Sequence, residues 1–311
     1  MTAASTEIVE PSAEKGVRAN LKLRDNLLFL LFVVPNLALL TAFTYRPLID
    51  NFALSFKDWS LASPEPAKWI GLANYREFFT KAESWQVVTV TLVFTVSALV
   101  ISMVLGLALA MLLDQNLKGR NLVRSAVFAP FVISGAAIGA AFYFVFNPQF
   151  GAVASILSWF GITSPDFYQQ PGWALFLVTF TYIWKNLGYT FVIYLAALQG
   201  LNKDLDEAAA IDGTPTWRKF WRVTFPQLRP ATYFLSITVL LNSLQVFDIV
   251  NIMFPAGGPQ GGTTTMVFDI YWQTFRNQRA GYGATIATIM FLVLLIVTVV
   301  QVRMMDRGNE K

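Results

Sequence analysis

Gly200-Leu-Asn-Lys-Asp-Leu-Asp-Glu-Ala-Ala-Ala-Ile-Asp-Gly-Thr-Pro-Thr-Trp-Arg-Lys-Phe-Trp-Arg-Val-Thr-Phe-Pro-Gln-Leu-Arg-Pro230 is a polar block in an otherwise apolar chain. Long hydrophobic stretches stand on both sides of it. A charged insert between two such stretches belongs in the aqueous phase beside a membrane, where it is free to touch a partner.

The block reads as helix, turn, helix. Asp204 is placed to cap a first helix, and Glu207 three residues later completes a capping-box spacing. Gly213 supplies the left-handed residue that ends it. Thr214 is placed to cap a second helix with Pro215 at its first position, where the missing N–H costs nothing. Pro226 and Pro230 keep that helix from running unbroken into the next apolar stretch. Ala208, Ala209 and Ala210 give the first helix a smooth face for close approach. Trp217, Phe220, Trp221 and Phe225 make one side of the second apolar, beside Arg218, Lys219 and Arg222. Spacing alone leaves two readings open: a basic amphipathic segment in the headgroup region, or a docking element for a partner in the aqueous phase.

Composition narrows the setting. The 311 residues are 55% hydrophobic and 14% charged, whereas a soluble domain is about a quarter charged. The chain has no Cys and no His, which removes disulfides, Cys/His zinc sites, thiol nucleophiles and imidazole bases. No metal or cofactor site is expected. The net charge of +4 sits at the ends of apolar runs, which points to membrane topology and not to nucleic acid.

Six stretches are long enough to cross a bilayer, which takes about 20 apolar residues: 26–45, 87–113, 122–146, 173–197, 231–254 and 283–302. The expectation is an all-α integral membrane protein with six transmembrane helices. No small-residue cleavage site follows the first stretch, so it reads as a retained span. With both termini placed inside, fifteen of the 23 basic residues fall in inner segments and seven in outer ones, Lys185 being within a span. That bias puts the termini and the 200–230 block in the cytoplasm of a multi-pass plasma (cell inner) membrane protein. The layout is a polar tail 1–25, a first span 26–45, an external loop 46–86 with interfacial helices, a core 87–302 and a tail 303–311. Residues 1–20 have the composition of a disordered segment.

Glu207-Ala208-Ala209-Ala210-Ile211-Asp212-Gly213, followed by Phe220, Pro226 and Pro230, resembles the EAA motif of permease subunits of binding-protein-dependent ABC importers. Gly71-Leu72-Ala73-Asn74-Tyr75, Lys118-Gly119-Arg120, Phe146-Asn147-Pro148 with Gly151, and Gly257-Gly258-Pro259 are similar to elements of the carbohydrate-uptake, maltose-permease-F-like branch. Trp184-Lys185, Ala196-Ala197-Leu198-Gln199 and Thr263-Thr264-Thr265 resemble the subgroup that imports glycerol-3-phosphate or glycerophosphodiesters. Met253-Phe254-Pro255-Ala256 is one residue longer than usual before Gly257. The resemblance implies a MetI-like permease fold that forms half of a translocation pathway. It implies ATPase coupling through Glu207, Ala208, Ala209, Asp212 and Gly213. Its implied partners are a second homologous permease, two ATP-binding subunits that hold the ATP and Mg, an extracytoplasmic solute-binding protein and membrane lipid. The same role in a maltose, trehalose or oligosaccharide importer is the alternative.

Ionisable residues inside spans are functional or paired. Lys185 lies near the middle of the fourth span and Asp248 in the outer half of the fifth. They read either as a buried pair or as pore lining. By resemblance, Lys185, Asn186 and Tyr189 with Asn242, Ser243 and Gln245 face the substrate. The Gly-rich string 255–265 lacks the Gly-Lys-Ser/Thr ending of a P-loop, so ATP hydrolysis belongs to another polypeptide and the chain is not itself an enzyme. A secondary transporter calls for two related halves, which are not evident. An intramembrane enzyme calls for a nucleophile or metal cluster that the spans do not supply.

Overall fold

The computed structural model describes residues 28–62, 65–115, 117–202, 204–205 and 211–309, the side chains of 305–309 excepted. The tail 1–25 lies outside the described residues, as do Glu207, Ala208 and Ala209 of the coupling motif. Met1–Ala53 and Leu54–Lys311 form separate compact units. The first contains helix α1, Leu28–Leu54, up to Ala53, and the helix has a mean hydropathy of 2.0. It runs past the expected end at residue 45. Pro47 offers no N–H, and just before it the ladder widens into a π turn, Thr41–Tyr45, in which the Arg46 N–H reaches the Thr41 carbonyl.

The second unit carries the remaining spans. Helix α3, Ala82–Asp114, begins earlier than residue 87. The stretch expected as one span at 122–146 is two helices, α4 (Arg120–Val132) and α5 (Gly135–Val145), bent by 103°. Helix α7 covers Pro171–Gln199. The fifth span, Arg229–Met253, is interrupted between α9 (Arg229–Leu244) and α10 (Asp248–Met253). Helix α12 runs Ala280–Asn309. Among the described residues four helices are apolar and long enough to cross a membrane, and the bent pair counts as a fifth. Helix α7 has the length, 29 residues, but carries Lys185, Asn186 and several hydroxyls. It tolerates them because one side of it packs against α3, α4, α5, α9 and α10, where Thr179, Thr181 and Thr190 are buried.

Lipid gives helices little hydrophobic reason to associate, so close packing of small residues must do it. Helix α3 meets α7 along such a seam, with Thr91, Thr95, Ala98, Ser102, Gly106 and Ala110 all buried. Thr190 of α7 donates across it to the Ser102 carbonyl at 3.0 Å. A Cβ on Gly106 would collide with the Thr190 side chain. On the other side of α7, Gly188 lies so close to α4 that a Cβ would sit 2.7 Å from the Phe128 Cα and the Val127 carbonyl. Aromatic and aliphatic side chains fill both ends of this three-helix contact, around Phe94, Leu177 and Val250 at one and Phe191, Tyr194 and Leu235 at the other.

Short elements close the end of the bundle remote from the polar block. A two-residue antiparallel pair, β1 (Lys57–Asp58) with β2 (Lys68–Trp69), precedes helix α2, Ala73–Thr80. The Gly71–Tyr75 string fastens this region. Gly71 takes φ +59, Asn74 is buried and donates to the Ser55 and Lys57 carbonyls at 3.0 Å each, and the Tyr75 hydroxyl meets the Ser55 hydroxyl at 2.7 Å. Glu77 then receives both guanidinium nitrogens of Arg279, at 2.8 and 2.6 Å, joining α2 to the foot of α12. The Arg279 guanidinium, helped by Lys81 and opposed by partial burial, holds the Glu77 carboxyl at about 2, below its ordinary 4.5.

Two outcomes follow from this packing. Gly188→Ala puts a methyl against backbone that cannot step aside, so unfolding free energy falls by ~1–3 kcal/mol; an unchanged melting temperature in detergent would refute the close approach. A carboxyl with a depressed folded-state pKa stabilises above its unfolded value and loses that contribution as pH falls toward its folded one. The clasp is therefore intact above pH 4.5 and fails on acidification toward about pH 2. Glu77→Gln lowers the melting temperature at neutral pH and removes this part of the acid sensitivity, which a pH series of melting curves reads directly.

Candidate functional site at the broken spans

The centre of the bundle is organised by the bend in the third span. Ile133 and Ser134 are both extended, with ψ of 143° and 144°, so the chain turns sharply between α4 and α5. Pro130 weakens the last turn of α4, having no N–H to give. Inside a membrane the carbonyls freed at the end of α4 and the N–H groups at the start of α5 must find partners within the protein. Ser134 provides one, its hydroxyl accepting from the Ala137 N–H at 3.3 Å.

The two ionisable residues expected within spans lie at these two helix ends. Lys185 extends from α7 to the last turn of α4, where Nζ donates to the Phe131 carbonyl at 3.4 Å and lies 5.4 Å from the centre of the Phe131 ring. A cation at a helix C-terminus is favourable, and the ring face adds to it. Asp248, at the first residue of α10, packs on the opposite fragment. Its carboxylate occupies the space a Gly135 Cβ would need, at the first residue of α5, where a negative charge is favourable. It also accepts from the Ile249 N–H at 2.9 Å. Among the described residues no ion pair joins Lys185 to Asp248. Each lies at a different end of the broken helix, and Asp248 stays exposed, so the two do not form the buried pair that was one of the sequence readings.

The other candidate residues divide. Tyr189 stacks on Phe131, centroids 5.4 Å apart, and its hydroxyl meets Thr238 Oγ1 of α9 at 3.1 Å, so α4, α7 and α9 share one contact. Asn186 turns its amide back to the Tyr182 carbonyl at 2.9 Å. Ser243 is fully buried with its hydroxyl on the Leu240 carbonyl, and it packs between helices instead of facing the other polar residues. Asn242, Gln245 and Asp248 are exposed at three-residue intervals, which continues one polar face across the interruption in span five. Among the described residues the side-chain amides of Asn242 and Gln245 have no hydrogen bond. Sequence reasoning missed Phe131, Ser134 and Gly135. The signal was present as Pro130 followed by Ser134-Gly135, turn-forming residues inside an apolar run.

In the polar block, Asp204 and Leu205 are helical and the Asp204 N–H is taken by the Asn202 side chain at 2.9 Å, so Asn202 does the capping expected of Asp204. Gly213 takes φ +64, the left-handed stop. Helix α8 spans 216–227, made of Thr216–Lys219, a π turn Phe220–Thr224 and Phe225–Gln227. It starts one residue later than expected: Pro215, with ψ 144°, is the boundary residue, and Thr214 makes no cap. Pro226 is associated with a widened turn instead of an end, the Phe225 N–H reaching back to Phe220, and only Leu228 separates α8 from α9.

Apolar helices with two interrupted spans and a polar block between the fourth and fifth are the architecture of an integral membrane protein. Residues 102–311 match the family of binding-protein-dependent transport system inner membrane components, and the chain belongs to that family. It is a permease subunit of a binding-protein-dependent ABC importer and not an enzyme. It is 33% identical over 285 residues to a probable starch degradation products permease protein of Thermoanaerobacterium thermosulfurigenes, covering 90% of this chain and 94% of that one. It is 31% identical over 283 residues to the sulfoquinovosyl glycerol permease protein of Agrobacterium fabrum, covering 91% and 92%. Against the sn-glycerol-3-phosphate permease protein of Pectobacterium atrosepticum it is 30% identical over 242 residues, covering 78% and 81%. The fold is that of a bacterial ABC transporter involved in import of the acidic polysaccharide alginate, with a TM-score of 0.81 at 24% identity over 93% of this chain and 99% of that one.

If Lys185 and Asp248 hold the bend, Lys185→Met costs up to ~2 kcal/mol of stability and Asp248→Asn, at a more exposed site, ~0.3–1 kcal/mol, the values for partly buried and exposed charges at helix ends. Lys185→Arg keeps most of it. Thermal unfolding of the purified protein checks this. Native-like melting of both neutral variants together with lost transport would return the two residues to the cargo.

Proposed function

We propose that this chain lines half of a pathway for a hydroxyl-rich carbohydrate and takes its drive from a separate ATPase through residues 200–230. The observation that carries the cargo reading is the exposed amide pair Asn242 and Gln245 on the polar face of span five. Amides offer both donors and acceptors, as sugar hydroxyls require. Lys185 already donates to the Phe131 carbonyl, whereas the two amides have no hydrogen bond among the described residues. Glycerol-3-phosphate or a glycerophosphodiester is the second reading. What favours it is Lys185, a half-buried cation with no acidic partner among the described residues.

The working cycle is alternating access. A solute-loaded receptor docks on the external loops, and closure of the ATPase dimer is transmitted through 203–226 to the spans. A second permease subunit completes the pathway, both termini face the cytoplasm, and the complex sits in the cell inner membrane. Gly213 at φ +64 supports the coupling role, because the turn it makes fixes the angle between the two halves of the block.

Glu207→Lys and Gly213→Pro should each leave the protein inserted and abolish receptor-stimulated ATPase activity; undiminished stimulation in both would remove the coupling assignment. Calorimetry of the receptor against maltose, trehalose, glycerol-3-phosphate and glycerophosphocholine tests the cargo. Binding of a neutral sugar is the expected result, and binding of the phosphates alone would reverse the order of the two readings.

A further inference from the structure

The polar block changes sign along its length. Asp204, Asp206, Glu207 and Asp212 fall in its first half, and no acidic residue follows until Asp248. Arg218, Lys219, Arg222 and Arg229 fall in its second half. One partner surface complementary to the first half is not complementary to the second.

The second half has the build of an interfacial helix. Trp217, Trp221 and Phe225 follow one another at helical spacing and pack ring to ring, with centroids 5.5 and 5.2 Å apart. The two tryptophans stay open, 73% and 47% exposed. Arg218 and Arg222 form the neighbouring exposed stripe, also four residues apart. Helix α8 is about 18 Å long at 1.5 Å per residue. Only Leu228 parts it from the start of a transmembrane span, so it is tethered at the membrane boundary. Tryptophan rings beside arginines at that level match the boundary between acyl chains and anionic headgroups.

We propose that α8 is a binding surface for anionic phospholipid headgroups of the inner leaflet, with Trp217 and Trp221 at the acyl boundary and Arg218 and Arg222 on the phosphates. The acidic first half is left to the ATPase. The block then connects two surfaces: the ATPase pushes on one half while lipid anchors the other, and α8 is the pivot next to span five. The inference rests on the cytoplasmic placement of the block.

The test uses the complete complex of both permeases and the ATPase in nanodiscs. The chain has no native cysteine, so Thr216→Cys carries a single spin label on this chain, against otherwise cysteine-free partners. In an equal mixture of phosphatidylcholine and phosphatidylglycerol the label should be more accessible to oxygen and less to a water-soluble nickel chelate than in phosphatidylcholine alone. Arg218→Gln with Arg222→Gln should abolish that difference, weakening the lipid interaction about fivefold per arginine. Equal accessibility in both lipids would overturn the proposal. So would shielding that appears only when ATPase subunits are present, which would assign this face to the ATPase. Labelling of Asp212→Cys by an impermeant maleimide from either side of a sealed vesicle reads the sidedness separately, so a wrong orientation is told apart from a missing lipid site.

Discussion

A helix interrupted inside a membrane leaves backbone groups with no water to meet them. The break at Ile133 and Ser134 sets that problem here, and much of the central architecture answers it. The carbonyl end of α4 receives a cation from α7, a carboxylate from α10 packs beside the first residue of α5, and Ser134 caps locally. Each answer comes from a different span. The bend therefore ties α7 and the interrupted fifth span to the third, and helix identity at the pathway follows from backbone chemistry.

That arrangement explains how α7 carries its polar residues within the bundle. Its Lys185 serves α4, its Tyr189 bridges Phe131 and Thr238, its Thr190 crosses to α3, and Gly188 lets α4 approach to backbone distance. Small residues on α3 accept the other side. With the polar groups of α7 turned to neighbouring helices, Asn242 and Gln245 remain as exposed amides in span five. A carbohydrate pathway needs groups of that kind, able to donate and accept without fixing a charge.

The sequence made the spans, the polar block and the Gly213 stop legible because each rests on a local signal: apolar length, charge, or the one residue that accepts a positive φ. The bend at residues 133–134 was hidden, since hydropathy averages over a window and carries no direction; only Pro130 and Ser134-Gly135 marked it. The placement of Lys185 and Asp248 was hidden for a related reason, because both sit against helix ends created by that unseen break. Ser243 was grouped with Asn242 and Gln245 by resemblance, whereas α9 turns it inward while Asn242 faces out. The Gly71–Tyr75 string was recognisable as a motif, but that Asn74 holds two carbonyls at residues 55 and 57 needs three dimensions.

The central claim is that Lys185 and Asp248 maintain the bend. Spin labels at Leu122 and Phe144, exposed residues on the two arms, report the bend as a distance distribution by pulsed electron resonance. The account predicts a narrow distribution in the native protein and a broadened, shifted one in Lys185→Met with Asp248→Asn, in the absence of any cargo. The same narrow distribution in the double variant would contradict it.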